Sequence, residues 1–432
     1  MIPTLLFVAF LSMMFLGVPI GAALGLAGAA CIALANSDAQ WFGLLAVPQN
    51  FFAGLGKYPL LAIPMFVLVG SIFDRSGVAL RLVNFAVALV GRGPGMLPMV
   101  AILVAMFLGG ISGSGPANAA AVGAVMIAAM SRAGYPAAFS ASVVGAAAAT
   151  DILIPPSVAF IVYSVLVPNA SVPALFAAGM IPGILAGLAL IIPTVWMARK
   201  HKMGALESSL PRPPLWQSFK EATWGLAAPV LILGGMRAGW FTPTEAAVVA
   251  VFYGLFVGMA VHRTIKVRDL FVILRESGEL SAVILLVVSL AGIFAFSLST
   301  LGVIDPVTNA IVNSGLGEYG VLALLILLLI TVGMFLDGVS IFLIFVPLLW
   351  PIVQFYKWDP VWFGVILTLK VALGQFTPPL AVNLMVSCRI ANVRMEETVR
   401  WVGWMLFSMF LVMVAVIIWP ELALWLPRYL GY

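Results

Sequence analysis

Apolar stretches of 14 to 25 residues follow one another from end to end of the chain, and a single segment breaks the pattern, the charged and proline-rich 199–221. A helix crossing a bilayer needs about 20 mostly apolar residues, so this pattern predicts membrane spans rather than buried helices of a soluble domain. The first half predicts spans over 4–17, 20–36 and 60–73, with an amphipathic arm at 41–57 and a second arm carrying Arg75, Arg81 and Arg92. The apolar 96–131 is interrupted at 111–117 (ISGSGPA) and predicts a re-entrant hairpin. A span broken at 154–157 (IPPS) follows, and 174–198 completes the half. The first 15 residues lack the basic start of a signal peptide and read as a first span.

The polar connection falls near the middle of the chain, which prompts a search for duplication. A shift of about 223 positions lays Pro155-Pro156 on Pro378-Pro379, Pro19 near Pro243, Gly70 near Gly292, Gly113-Ser114 on Leu336-Asp337, and Pro136 near Pro360. Five ordered matches that drift by one residue predict two repeats, 1–198 and 222–432. The second has its hairpin tip near 335–340, its broken span near 377–379 and its arms at 264–280 and 298–316. Five crossings per repeat is an odd number, so the second copy is expected upside down relative to the first.

Composition narrows the class. Hydrophobic residues make up 63% of the chain and charged residues 9%, against about 25% charged in soluble domains. That excludes a water-soluble enzyme and a disordered scaffold. The net charge of +5 belongs to topology, since Lys and Arg collect on the cytoplasmic side; no nucleic-acid surface is implied. Placing 199–221 inside leaves 16 of the 21 basic residues cytoplasmic, four outside (Lys57, Arg237, Lys357, Arg428), and Lys370 within a membrane segment. Both termini are then expected on the periplasmic side. The expected fold is an all-α polytopic membrane protein of two inverted repeats, each with one re-entrant hairpin.

The interruptions are where chemistry is expected. Lipid offers no hydrogen bonds, so irregular backbone survives at that depth only where protein or a water-filled cavity surrounds it. Proline frees a carbonyl and glycine permits a tight reversal. The four interruptions are Ser112-Gly113-Ser114, Ile154-Pro155-Pro156-Ser157, Leu336-Asp337-Gly338 and Thr377-Pro378-Pro379. Half-helices meeting there aim their N-termini at anions and their carbonyl ends at cations; kinks that merely aid packing are the plainer reading of any single one. Ionisable residues in the membrane add Asp151, Asp337 and Lys370, which lies about 15 Å in from Pro360 by helix rise. Asp151 and Lys370 are expected to pair or to share a cavity. Lys370 snorkelling to water is the alternative. Glu245 after Thr242-Pro243-Thr244 reads equally as a helix cap or a coupling residue, and Asn383, just after the second Pro-Pro, joins the candidates.

At these motifs the sequence resembles a known family. SGSGPANAAAVGAVMIAAMSRAGYP, IPPSVAFIVYS with LFAAGMIPGIL, FTPTEA, GMFLD and TPP look like the large membrane subunit of TRAP (tripartite ATP-independent periplasmic) transporters, from Pro19 to the final span. Ala128 departs from the pattern, standing where many members have proline, and Asp151 and Lys370 are untypical. The resemblance implies an ion-transporter-superfamily fold with an elevator-like moving part. It also implies uptake of an organic acid coupled to Na⁺, in the bacterial inner membrane. A small four-span membrane subunit and a periplasmic solute-binding protein are the implied partners. Carried over, the cation regions are Ser112, Gly113, Ser114, Pro155 and Pro156 in one half, and Asp337, Gly338, Thr377, Pro378 and Pro379 in the other. A self-sufficient carrier of the same superfamily is the rival reading. An intramembrane enzyme would need a catalytic cluster, and no HExxH or nucleophile–histidine arrangement occurs.

Overall fold

The computed structural model describes residues 2–35, 42–90, 93–207, 213–334, 336 and 338–432. Among these the regular structure is entirely helical. The first half runs α1 (Ile2–Phe15), α2 (Ile20–Ala35), α3 (Phe42–Leu55), α4 (Ala62–Arg75) and α5 (Val78–Val90). It continues through the hairpin α6 (Met96–Ser112) and α7 (Gly115–Arg132), the broken pair α8 (Ala137–Ala148) and α9 (Val158–Leu166), and α10 (Val172–Lys200). The second half opens with α11 (Leu215–Arg237), α12 (Pro243–Phe256), α13 (Val267–Thr300) and α14 (Ile304–Val312). Its hairpin is α15 (Gly317–Gly333) and α16 (Gly338–Phe355), its broken pair α17 (Pro360–Gly374) and α18 (Val382–Ala391), and α19 (Val399–Ile418) and α20 (Glu421–Leu430) close the chain. Among the described residues, six helices, counting the short turns that extend three of them, are long and apolar enough to cross a membrane. Shifted by 223 residues, α6 to α9 overlie α15 to α18.

Local chemistry sets these boundaries. Asp359 caps α17, its carboxylate accepting from Val361 N (2.8 Å) and Trp362 N (3.1 Å), with Pro360 in the first turn. Ser171 caps α10 in the same manner, accepting from Ala174 N. The packing is reciprocal: α2 lies along α13 and α4 along α12. Small residues permit this, for a Cβ on Gly28 would lie 3.1 Å from the Phe294 backbone.

One expected boundary is absent. The arm 264–280 and the span after it form the single helix α13, of 34 residues. In the first half the chain instead breaks between α3 and α4, at Gly56, Lys57 and a 3-10 turn over Tyr58–Leu61 that contains Pro59. The second copy carries Glu279 and Ala282 at the matching places, so nothing stops the helix.

The central connection is less loose than its composition suggests. Glu207, almost fully buried, accepts from Leu97 N at 2.7 Å and from the Tyr135 hydroxyl, and that hydroxyl accepts from Gly95 N at 2.7 Å. Burial pushes the Glu207 carboxyl above its usual range, with the Tyr135 and backbone donors opposing it, and raises Tyr135 as well. The connection is thereby fastened to both ends of the first hairpin. At the charge-rich end of α4, Arg75 pairs with Glu276 at 2.5 Å and His262 meets Ser76 O at 2.8 Å.

Candidate functional site

The two hairpin tips and the two broken helices converge on one cavity of about 420 Å³. Its wall includes the opening turns of four helices: Gly115–Ala117 of α7, Val158–Ala159 of α9, Gly338–Val339 of α16, and Val382 of α18. Each N-terminus has backbone N–H groups without partners in its own helix and carries partial positive charge. Four such poles line one space, which also takes in the C-terminal ends of α15 and α17 at Gly333 and Gly374. From α4, Ser71 and the exposed Asp74 also line the cavity.

Glycines let the tips close on the breaks. Gly113 takes φ +63°, and a Cβ there would lie 2.7 Å from Pro156 O. At Gly115 a Cβ would lie 2.6 Å from Gln375 Oε1 and 2.7 Å from Asn383 Nδ2. The first tip thus touches both breaks. On the other side a Cβ on Gly374 would be 2.9 Å from Gly333 O, and one on Gly338 would strike Val371. Both Pro155-Pro156 and Pro378-Pro379 are cis.

Several predicted residues build this geometry. Ser157 is fully buried; its hydroxyl donates to Ile152 O (2.6 Å) and accepts from Phe160 N, so it bridges the first break rather than facing solute. Thr377 donates to Leu373 O at 2.6 Å. Asn383 donates to Gln375 Oε1 at 3.0 Å, and its own carbonyl oxygen is buried with no hydrogen-bond donor. Asn118 on α7 donates to Ala105 O at 2.8 Å and likewise keeps a buried, unsatisfied oxygen. Neutral oxygens of this kind suit a hard monovalent cation. Ser114 lines the cavity as the N-cap residue of α7, and Ser112 ends α6. Asp337 lies outside the described residues.

Two expectations are corrected. Asp151 and Lys370 are both fully buried, but no ion pair joins them and neither lines the cavity. Each is directed at a hairpin glycine of its own half: Asp151 Oδ1 lies 3.1 Å from a Cβ built on Gly109, and Lys370 Nζ packs directly on Gly333. Glu245 is exposed, far from any role in the cavity wall; it accepts from the Thr242 N–H and hydroxyl, both at 2.8 Å, and closes a capping box on α12. Ser71, Asp74, Asn118 and Gln375 went unread in the sequence. Their only signal there is a polar residue inside an apolar run, which α4 blurs by ending on Asp74-Arg75 at a boundary.

A helical membrane fold with paired hairpins, broken helices and a central solute-sized cavity defines a membrane transporter. The chain belongs to the tripartite ATP-independent periplasmic transporter family, DctM component, whose pattern it matches over residues 7–422; it is a TRAP transporter large permease. It is 37% identical to the C4-dicarboxylate TRAP transporter large permease protein DctM of Pseudomonas aeruginosa, over 94% of each chain. It is 34% identical to the sialic acid TRAP transporter large permease protein SiaM of Vibrio cholerae, over 98% of each. Identity to the isethionate TRAP transporter permease protein DctMQ of Oleidesulfovibrio alaskensis is 36%; the match takes in 91% of this chain but 61% of that longer one. Among solved structures the YdaH transporter of Alcanivorax borkumensis superposes with a TM-score of 0.62 at 13% identity, over 94% of this chain and 100% of that one. That likeness is one of fold.

Proposed function

We propose that the chain carries an organic acid across the bacterial inner membrane, driven by Na⁺. The observation that supports this most is the meeting of four helix N-termini at one cavity, which favours a carboxylate or sulfonate. The relatives named for C4-dicarboxylates, sialic acid and isethionate all concern organic acids. The cation regions are Ser112, Gly113, Ser114, Pro155 and Pro156 in the first half, and Asp337, Gly338, Thr377, Pro378 and Pro379 in the second. The unsatisfied oxygens of Asn118 and Asn383 support cation binding beside them. The hairpins and broken helices move as an elevator against the remaining helices. A small four-span membrane subunit and a periplasmic solute-binding protein complete the system, in keeping with the term "large permease" in the relatives' names. The termini are periplasmic and 199–221 cytoplasmic, as the charge distribution implies.

Uptake into proteoliposomes containing all three proteins tests the reading. It is expected to collapse without a Na⁺ gradient and without the binding protein. Full uptake on a proton gradient alone would overturn Na⁺ coupling and turn attention to Asp151 and Asp337. Uptake by the chain alone would favour a self-sufficient carrier.

A further inference from the structure

The two halves share a backbone plan but differ in charge at matching places. Behind the second hairpin, Lys370 of α17 is fully buried and its ammonium rests on Gly333, the last residue of α15. Glycine leaves no side chain between them. One turn on, Gly374 closes on the Gly333 carbonyl. The ammonium therefore sits at the C-terminal pole of α15, where partner-less carbonyls gather partial negative charge. It donates no hydrogen bond and joins no ion pair among the described residues. Full burial also rules out snorkelling to water, and that pole is the negative potential it meets among the described residues.

The first half has the reverse arrangement. The position matching Lys370 is Ala147, and the group packed behind the first hairpin is the carboxylate of Asp151, against Gly109 near the C-terminal end of α6. A carboxylate at a helix C-terminus adds to the negative potential there and draws a cation. An ammonium in the same place repels one.

We infer that Lys370 is the resident cation of the second half, a tethered substitute for a coupling ion, so that Na⁺ is exchanged at the first half only. This rests on the reading that the hairpin tips and breaks hold cations. It specifies which of the two regions takes up an ion from solution.

The test needs no knowledge of the solute. Thermal unfolding of the purified full-length chain is followed as NaCl replaces choline chloride at constant ionic strength. For an ion that binds only the folded state, the slope of the midpoint against log[Na⁺] scales with the number of ions bound. Lys370→Met is expected to double that slope, because the vacated pole then admits a second ion. Lys370→Gln serves the same purpose should the methionine variant fail to fold, and Lys370→Arg is expected to keep the wild-type slope. Equal slopes in wild type and the uncharged variants would overturn the inference, as would a doubled slope in Lys370→Arg. No Na⁺ response in any of the proteins would overturn the Na⁺ reading itself, a result distinct from equal non-zero slopes.

Discussion

Asn383 and Gln375 face each other across the second helix break and are fastened twice. The Asn383 side-chain amide donates to Gln375 Oε1 and its backbone N–H to Gln375 O, each at 3.0 Å. The chain between them, including Pro378-Pro379, is thereby held as a loop of fixed span. Removing a buried hydrogen-bond partner costs about 1–3 kcal/mol. Asn383→Ala is expected to lower proteoliposome uptake at least tenfold while leaving the amount of protein in the membrane unchanged.

Gly115 is where the first hairpin tip comes closest to that loop. A methyl group there would meet Gln375 Oε1 at 2.6 Å and Asn383 at 2.7 Å, distances at which one side must move. Gly115→Ala is expected to abolish uptake. The double variant Gly115→Ala with Asn383→Ala is expected to recover part of the Gly115→Ala loss, because the second change makes room for the first. The measurement is initial uptake rate for each single variant and the pair.

Asp74 places a carboxylate in the wall of the cavity proposed to take an anionic solute. Its repulsion is expected to weaken solute binding. Asp74→Asn should lower the apparent KM for the anionic solute roughly three- to tenfold, about 0.7–1.4 kcal/mol. A raised KM would show that Asp74 instead holds a cationic group. Uptake kinetics over a range of solute concentrations distinguish the two.

Tyr135 and Glu207 tie the central connection to the base of the first hairpin. Tyr135→Phe strips a hydrogen bond from Gly95 N and another from the Glu207 carboxylate. Because both are buried, an unfolding midpoint lower by several degrees is expected, corresponding to about 1–3 kcal/mol. A midpoint unchanged within error would show that the connection contributes nothing to folding.

His262 supplies a pH dependence outside the membrane. Its Nδ1–H donates to Ser76 O at 2.8 Å; burial, helped by Arg81, holds the imidazole below its usual pKa of 6.5, with Ser76 and Glu221 opposing. A group depressed in the folded state stabilises above its unfolded pKa, and that contribution is lost as pH falls through the folded value. Thermal stability should therefore be level above about pH 7 and decline from about 6.5 downward. His262→Asn, which keeps a donor at the same place, should flatten that decline.

Much of the site was legible because it is punctuated. The Gly-Ser and Pro-Pro interruptions mark the tips and breaks, and α6 to α9 recur as α15 to α18 at the expected shift. Gln375 and Asn118 were not legible, since their roles come from neighbours far away in sequence or across a helix pair. Asp74 reads as an ordinary charge at the end of a span, and only the closing of α4 against the hairpins puts it in a cavity wall. Lys370 and Asp151 stand out as intramembrane charges, yet no ion pair joins them, for each packs against the hairpin of its own half, at Gly333 and Gly109. Glu245 shows the reverse limit: a motif that suited two roles proved to be a cap.

The uninterrupted α13 has a geometric consequence. At 1.5 Å per residue its 34 residues extend about 51 Å, well beyond the roughly 30 Å hydrocarbon core of a bilayer. It runs from the charged turn around Arg275 and Glu276, past Leu280 and Ile284 in the cavity wall, to Phe294 against α2. One unbroken helix thus joins its charged end to the cavity wall. In the first half the helix is instead interrupted at Gly56 and Lys57, between α3 and α4. Two copies of one design have thus become a rod and an elbow.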